Sequence, residues 1–243
     1  MLKYIDHKKM GRGHHGWLDS HFHFSFADYY NPDNIHFGAL RVINDDLVKP
    51  GTGFDTHPHE NMEIISYVVD GELTHGDSMG NKETLTRGQV QYMSAGTGVW
   101  HSEHNLGTDT LRFLQIWIMP DGQGYEPNYG DYRFDFCGRV SRWLPIATWT
   151  ENKDSEAPIR IHQDVNAYAS FIREGEEIDF AVGAGRQAYM VLIEGEAEVK
   201  GAQGAGDSAL RLVERDAAEI TEENIKLTAV KDSHLIVIEM AKG

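Results

Sequence analysis

The sequence predicts an all-β protein made of two tandem β-barrels. Short runs of β-branched and aromatic residues are broken at close intervals by Gly and Asp turns, the pattern of sandwiches and barrels. Helical periodicity is confined to two brief stretches, residues 28–30 and 163–169. The second half also repeats features of the first at a nearly constant offset.

The elements follow in chain order. Residues 64–69, IISYVV, read as a strand ending at Asp70-Gly71, and residues 72–75 resume the pattern at once. Asp-Gly between two such runs predicts a tight hairpin. Residues 90–93 alternate and stop at the Gly-rich AGTG of 95–98, and residues 111–119 form a long strand candidate closed by Pro120. Residues 120–157 are turn-rich, and 153–158 read as an exposed loop. The later run YMVLIEGE (189–196) then resembles SYVVDGE (66–72), and LIVIEM (235–240) resembles LQIWIM (114–119). Gly71 and Gly195 are 124 residues apart, and Met119 and Met240 are 121 apart. Two such close offsets suggest a degenerate duplication. The expected domains are 1–130, a connecting crossover at 131–157, and 158–243.

Composition limits the function classes. The chain has 243 residues, with 22 Lys+Arg against 38 Asp+Glu and a net charge of −16. Nucleic-acid binding and anionic membrane surfaces both call for a basic footprint, so neither is expected. One cysteine, Cys137, excludes an intrachain disulfide framework. The polar N-terminus has no apolar signal core, and no stretch nears the roughly 18 apolar residues of a membrane span. A cytoplasmic location is expected.

The 13 histidines are uneven: 11 precede residue 105. In a strand, residues i and i+2 face the same side. His57 and His59 in THPHENME would therefore aim two imidazoles at one point, with Pro58 marking an edge strand or a strand start. Glu63 has the same parity. In WHSEHN, His101 and Glu103 share a face, and Ser102 and His104 share the other. Three imidazoles and one carboxylate suit Fe(II), Mn, Ni, Cu or Zn, and two positions of an octahedral ion would stay open. Applying the 124-residue offset places Ala181, Gly183 and Gln187 where His57, His59 and Glu63 stand, so the second barrel is expected to lack metal and to be structural.

Gly51-x5-His57-x-His59-x3-Glu63 is similar to the first cupin motif, with the closing Gly one residue late at Gly71. Gly88-x5-Ser94-x-Gly96 followed by Gly98-x2-His101-x3-Asn105 resembles the second, with Ser94 in place of the usual Pro and two extra residues before the His. Those departures, with FHFSFADYY (22–30), LRVINDD (40–46), THPHENMEI (56–64) and IHQD (161–164), resemble the pirin branch of the cupins. The resemblance is strong over 16–120 and weaker over 158–243.

It implies a bicupin of two jelly-roll-type barrels with one metal site, in the N-terminal barrel, held by His57, His59, His101 and Glu103. Glu63, the position matching the carboxylate ligand of ordinary cupins, becomes a near-site acid or a hydrogen-bonded acid lining the barrel. Fe(II) is the expected metal, with Cu, Mn, Ni, Co and Zn as alternatives. The implied activity is that of a quercetin 2,3-dioxygenase: a flavonol-like aromatic and O2 as substrates, Glu103 as general base. The alternative is a redox-sensitive metal-binding regulator that docks on a transcription factor or metabolic enzyme. A phosphosugar isomerase ranks lower, because only Arg41, Arg87 and Arg112 could serve an anion.

Other residues carry plainer expectations. His21 and His23 alternate with Phe22, Phe24 and Phe26 and read as packing histidines. His75 is expected in solvent, as are His7, His14 and His15 of the polar N-terminal segment. His104 and Asn105 either orient ligands or face water. Met93, Phe113, Gln115 and Trp117 read as barrel wall, and Cys137 receives no catalytic role.

Overall fold

The computed structural model describes residues 1–202 and 209–243. These residues form β-structure throughout, with no α-helix among them and two short 3-10 turns at His7–Lys9 and Phe136–Arg139. No helix among them is long and apolar enough to cross a membrane.

They divide into two compact units, one comprising residues 10–135 and 161–163 and the other 1–9, 136–160 and 164–243. The expected boundaries shift accordingly. Residues 1–9 join the second unit because Leu2–Ile5 pairs with Ala217–Thr221, extending that sheet by one strand. The 131–157 stretch is not a simple crossover: Asn128–Tyr132 pairs with Val90–Ser94, and Leu144–Trp149 pairs with Val165–Ile172. The expected helical stretch at 163–169 falls in Val165–Ile172, whose alternating burial marks a strand between two neighbours. The one at 28–30 is a tight turn closed by reciprocal backbone bonds between Phe26 and Tyr29, with Ala27 at φ 48°.

The first unit consists of two antiparallel sheets. The larger runs in the order Asn128–Tyr132, Val90–Ser94, Glu63–Asp70, Leu111–Ile118, Leu40–Val48, Leu18–Phe22, Gly11–His14. The smaller runs Thr52–His59, Val99–Asn105, Leu73–Asp77, Lys82–Leu85. Leu18, Val48, Val68, Leu111 and Phe113 from the first pack against Leu73 and Leu85 from the second. Among the described residues of the second unit, nine strands form one sheet around Met190, Leu192, Val199, Leu212, Ile220, Leu235 and Val237.

The Asp70-Gly71 turn departs from expectation. Glu63–Asp70 and Leu73–Asp77 do not pair with each other; they lie in different sheets. Gly71 is a corner where the chain leaves one sheet for the other. It sits at φ 78°, and a Cβ there would stand 2.8 Å from both Leu111 Cα and Thr110 O. Gly195 plays a different part: it is an irregularity inside the continuous Arg186–Gly201 strand, at φ 94°. The two glycines that carry the sequence echo therefore share a backbone requirement rather than a topology. Gly71→Val combines left-handed strain with a clash against backbone that cannot yield. It should cost about 2–4 kcal/mol, read as a lowered urea midpoint, while Gly80→Val in open space should cost less.

Candidate metal centre

The edge strand Thr52–His59 pairs antiparallel with Val99–Asn105, and His101 stands directly opposite His57. Pro58 is accommodated because its strand is an edge and needs no donor on the outer side. Period-two alternation puts His57 and His59 on one face, and Val99–Asn105 turns His101 and Glu103 inward while Trp100 stays 54% exposed. The imidazole ligand atoms of His57, His59 and His101 all lie within 4.8 Å of one another. Their ring centroids are 4.5–4.9 Å apart.

This set suits a divalent metal. Such a ligand must be a neutral imidazole with a free lone pair. Burial lowers His101 to about 3, helped by the neighbouring His57 and His75, and lowers His59 to about 4, helped by His101 and His57. Both rings are neutral at pH 7. His57 Nδ1 lies 2.7 Å from the Asp55 carbonyl, which can only accept, so Nδ1 carries the hydrogen and Nε2 keeps its lone pair. That Nε2 faces His101 Nε2 at 3.1 Å, the geometry of two ligands aimed at one point.

Glu103 lies beside this cluster and is 2% exposed. It lines the same cavity as His57 and His59, although its oxygens are not among the ligand atoms gathered within 4.8 Å, and its charge opposes the lowering of His59. The opposite sheet supplies its partners. Gln91, Ser66, Gln115 and Asn44 stand in register on four consecutive strands, making a polar row across the floor. Ser66 Oγ (2.7 Å) and Gln91 Nε2 (2.6 Å) donate to Glu103 Oε1, and Gln115 Nε2 (2.6 Å) donates to Oε2. Gln115 thus does more than build wall. Trp117 meets His59 edge-on at 4.8 Å, and its buried Nε1 has no partner.

The other candidate residues separate clearly. Glu63 does not share the histidine face: Thr52–His59 ends, Asn61 turns at φ 48°, and Glu63 opens a strand of the other sheet. Its Oε1 instead accepts from Ser94 Oγ (2.8 Å) and lies 3.1 Å from His162 Nδ1. Burial raises its pKa, against the pull of those two bonds. His21 and His23 are buried, and burial holds His23 at about 4. His104 lies 3.2 Å from Asp55, and Asn105 is buried on Val48 O and Asp109 O.

Two readings of histidines in solvent are corrected. His75 is fully buried, stacked on Tyr129 at 4.4 Å and 2.9 Å from Asp77 Oδ2, because its strand is covered on that face. Its register opposite Glu103 puts it on the same face as Glu103 and His101, its ring 5.6 Å from that of His101. His-x-Asp on one strand face was the available signal. His7 is 2.7 Å from Asp216 Oδ1, tying the first residues to the second unit. Asp6, His7 and Asp216 also bring ligand-type atoms together, but Asp216 already accepts from Tyr4 and from the backbone of His7 and Val213. His14 and His15 are both exposed, as expected, and His15 also borders the cavity described next.

A cavity of about 570 Å³ opens at His57 and His59. Trp17, Phe22, Phe26, Phe54 and Trp117 form aromatic walls; Ser20, Asn44, Asp46, Gln115 and Glu103 supply the polar groups. Among the described residues, no Lys or Arg lines it.

Residues 5–118 match the family Pirin, and residues 150–240 match a family described as the quercetinase C-terminal cupin domain. A pirin-like protein of Caulobacter vibrioides is 42% identical, over 98% of this chain and 100% of that one. The quercetin 2,3-dioxygenase of Escherichia coli K12 is 38% identical, over 95% of this chain and 94% of that one. Among solved structures, the Escherichia coli pirin YhhW in complex with nickel(II) is 35% identical with a TM-score of 0.89, covering all of both chains. With a relative this similar along its whole length, and a fold to match, the chain belongs to the pirin family of bicupin proteins.

Proposed function

We propose that this protein is a metal-dependent dioxygenase that cleaves a flavonol such as quercetin with O2. The observation that carries the reading is the convergence of three imidazoles, with a buried carboxylate beside them, at an aromatic-walled cavity. The size falls in the range of small-molecule sites, roughly 300–1,000 Å³. Related proteins named quercetin 2,3-dioxygenase support the substrate class.

His57, His59 and His101 would hold the metal, with Glu103 as the fourth ligand and Fe(II) as the preferred ion. A bound ion supplies Lewis acidity, lowering the pKa of a 3-hydroxyl that sits beside a 4-carbonyl. The protein's own residues do the rest. Glu103 takes the hydroxyl proton, held at its post by Ser66, Gln91 and Gln115. The Asp55 carbonyl fixes the tautomer of His57. The aromatic walls exclude water and sandwich a planar substrate. In the overall reaction both oxygen atoms enter the ring-opened ester and one ring carbon leaves as carbon monoxide.

The cavity favours a small neutral aromatic over the alternatives. Arg41, Arg87 and Arg112, the cations an isomerase of phosphosugars would call on, are engaged with Ser25 O and Ile35 O, with Val69 O, and with Asp45 respectively. The test is spectroscopic. Under anaerobic conditions quercetin added to metal-loaded protein should show a red-shifted band that persists, and admitting O2 should bleach it over repeated turnovers. No shift and no O2-dependent bleaching with Fe, Mn, Ni, Co or Cu would rule the activity out.

A further inference from the structure

We propose that Asn44 and Asp46 form a subsite that binds a hydroxyl group of the substrate other than the one presented to the metal. This deepens the flavonol reading and rests on it. Both residues lie on Leu40–Val48, two positions apart, so their side chains share the face that lines the cavity. Both are 3% exposed. Asn44 Oδ1 and Asp46 Oδ1 are buried acceptors without a hydrogen-bond partner in the protein. Buried polar atoms are otherwise almost always paired, so two unpartnered acceptors on one cavity wall call for a ligand.

Their neighbours define what that ligand is. Asn44 stands in register with Gln115, whose amide is committed to Glu103, so the subsite begins where the floor beneath the carboxylate ends. Asp46 stands opposite Ser20, which hydrogen-bonds its carboxyl. Burial raises Asp46 to about 7, and the charges of Asp45 and Glu103 push the same way while Ser20 opposes. Near neutrality the group is held partly as the acid, and with Ser20 engaged on the other oxygen, Oδ1 accepts when the group is ionised and can donate when it is protonated. An acceptor on Asn44 and one Asp46 oxygen that accepts or donates with its protonation state fit a hydroxyl. They repel a carboxylate or phosphate, and no Lys or Arg among the described residues lines the cavity to offset that. The walls beside the pair, Phe22 and Phe54, are aromatic. The ligand class is therefore a neutral polyhydroxylated aromatic.

Binding to the full-length, metal-free protein tests this, read by quenching of tryptophan fluorescence (Trp17 and Trp117 line the cavity) and by calorimetry. The probes are quercetin and 3-hydroxyflavone, which keeps the 3-hydroxyl and 4-carbonyl but lacks the other hydroxyls. Wild type should bind quercetin about tenfold more tightly, the worth of one buried hydrogen bond. In Asn44→Ala and in Asp46→Ala that preference should fall below about threefold, with 3-hydroxyflavone affinity nearly unchanged. Asp46→Asn, which keeps a donor and an acceptor, should retain most of it. Equal affinities in wild type would overturn the subsite while leaving the flavonol reading intact, and need no variant to fold. A preference that survives both alanine variants would overturn it as well. Failure of both probes to bind, with or without metal, would overturn the subsite and the flavonol reading together.

Discussion

Replacing His101 by alanine is expected to abolish the stabilisation that divalent metal gives the protein. A ligand that binds only the folded state adds about 2.7 kcal/mol at a free concentration 100 times its Kd. Losing a group that merely orients a ligand costs 10- to 100-fold in affinity, so losing a ligand itself should cost at least about 100-fold. At the same metal concentration the variant then gains only about 0.4 kcal/mol. His101 is the ring to remove because it is the most buried of the three and comes from the strand that pairs with the one carrying His57 and His59. Calorimetric titration should show the loss of affinity, and thermal melts with and without metal should converge. Replacing His75, beside His101 but outside the cluster of ligand atoms, should weaken binding far less. A His101→Ala protein that still binds metal at wild-type affinity would place the site elsewhere, with Asp6, His7 and Asp216 the next group to test.

Glu103→Gln should have the second large effect, on two readouts at once. As a proton acceptor the carboxylate contributes about 10²–10⁴ to turnover, and an amide of the same shape cannot replace it. The floor also opposes the change. Glu103 takes donors on both oxygens, from Ser66 and Gln91 on one and Gln115 on the other. An amide turns one acceptor into a donor facing another donor, costing about 1–3 kcal/mol of stability unless Gln115 also turns over. Turnover is measured under saturating metal, so that weaker binding is separated from lost chemistry. Full activity in this variant would remove Glu103 from the base role.

How much of this was legible beforehand follows from which signals are local. The two His-x-His/Glu pairs were readable because strand alternation is a property of two or three adjacent residues, and the structure brings the three imidazoles together as that alternation requires. Alternation failed at Glu63, where parity was carried across Asn61, a positive-φ residue that ends one strand and starts another. It also failed at Asp70-Gly71. A dipeptide can announce a tight reversal, but whether its two arms pair or part into different sheets is decided by Leu111 and the strands beyond. The burial of His75 and the floor of Gln91, Ser66 and Gln115 depend on register between strands distant in sequence, which no local pattern carries. The Leu2–Ile5 strand was missed for the same reason: its partner lies more than 200 residues away.

The most direct test of the central claim is the gas balance of the reaction. Purified protein loaded with Fe(II) is given quercetin in a sealed cell, and O2 consumed and carbon monoxide released are measured against flavonol lost. Equal amounts of all three are expected, with none of the carbon monoxide when His101→Ala replaces wild type. Flavonol loss without carbon monoxide, or at the same rate in that variant, would contradict the claim.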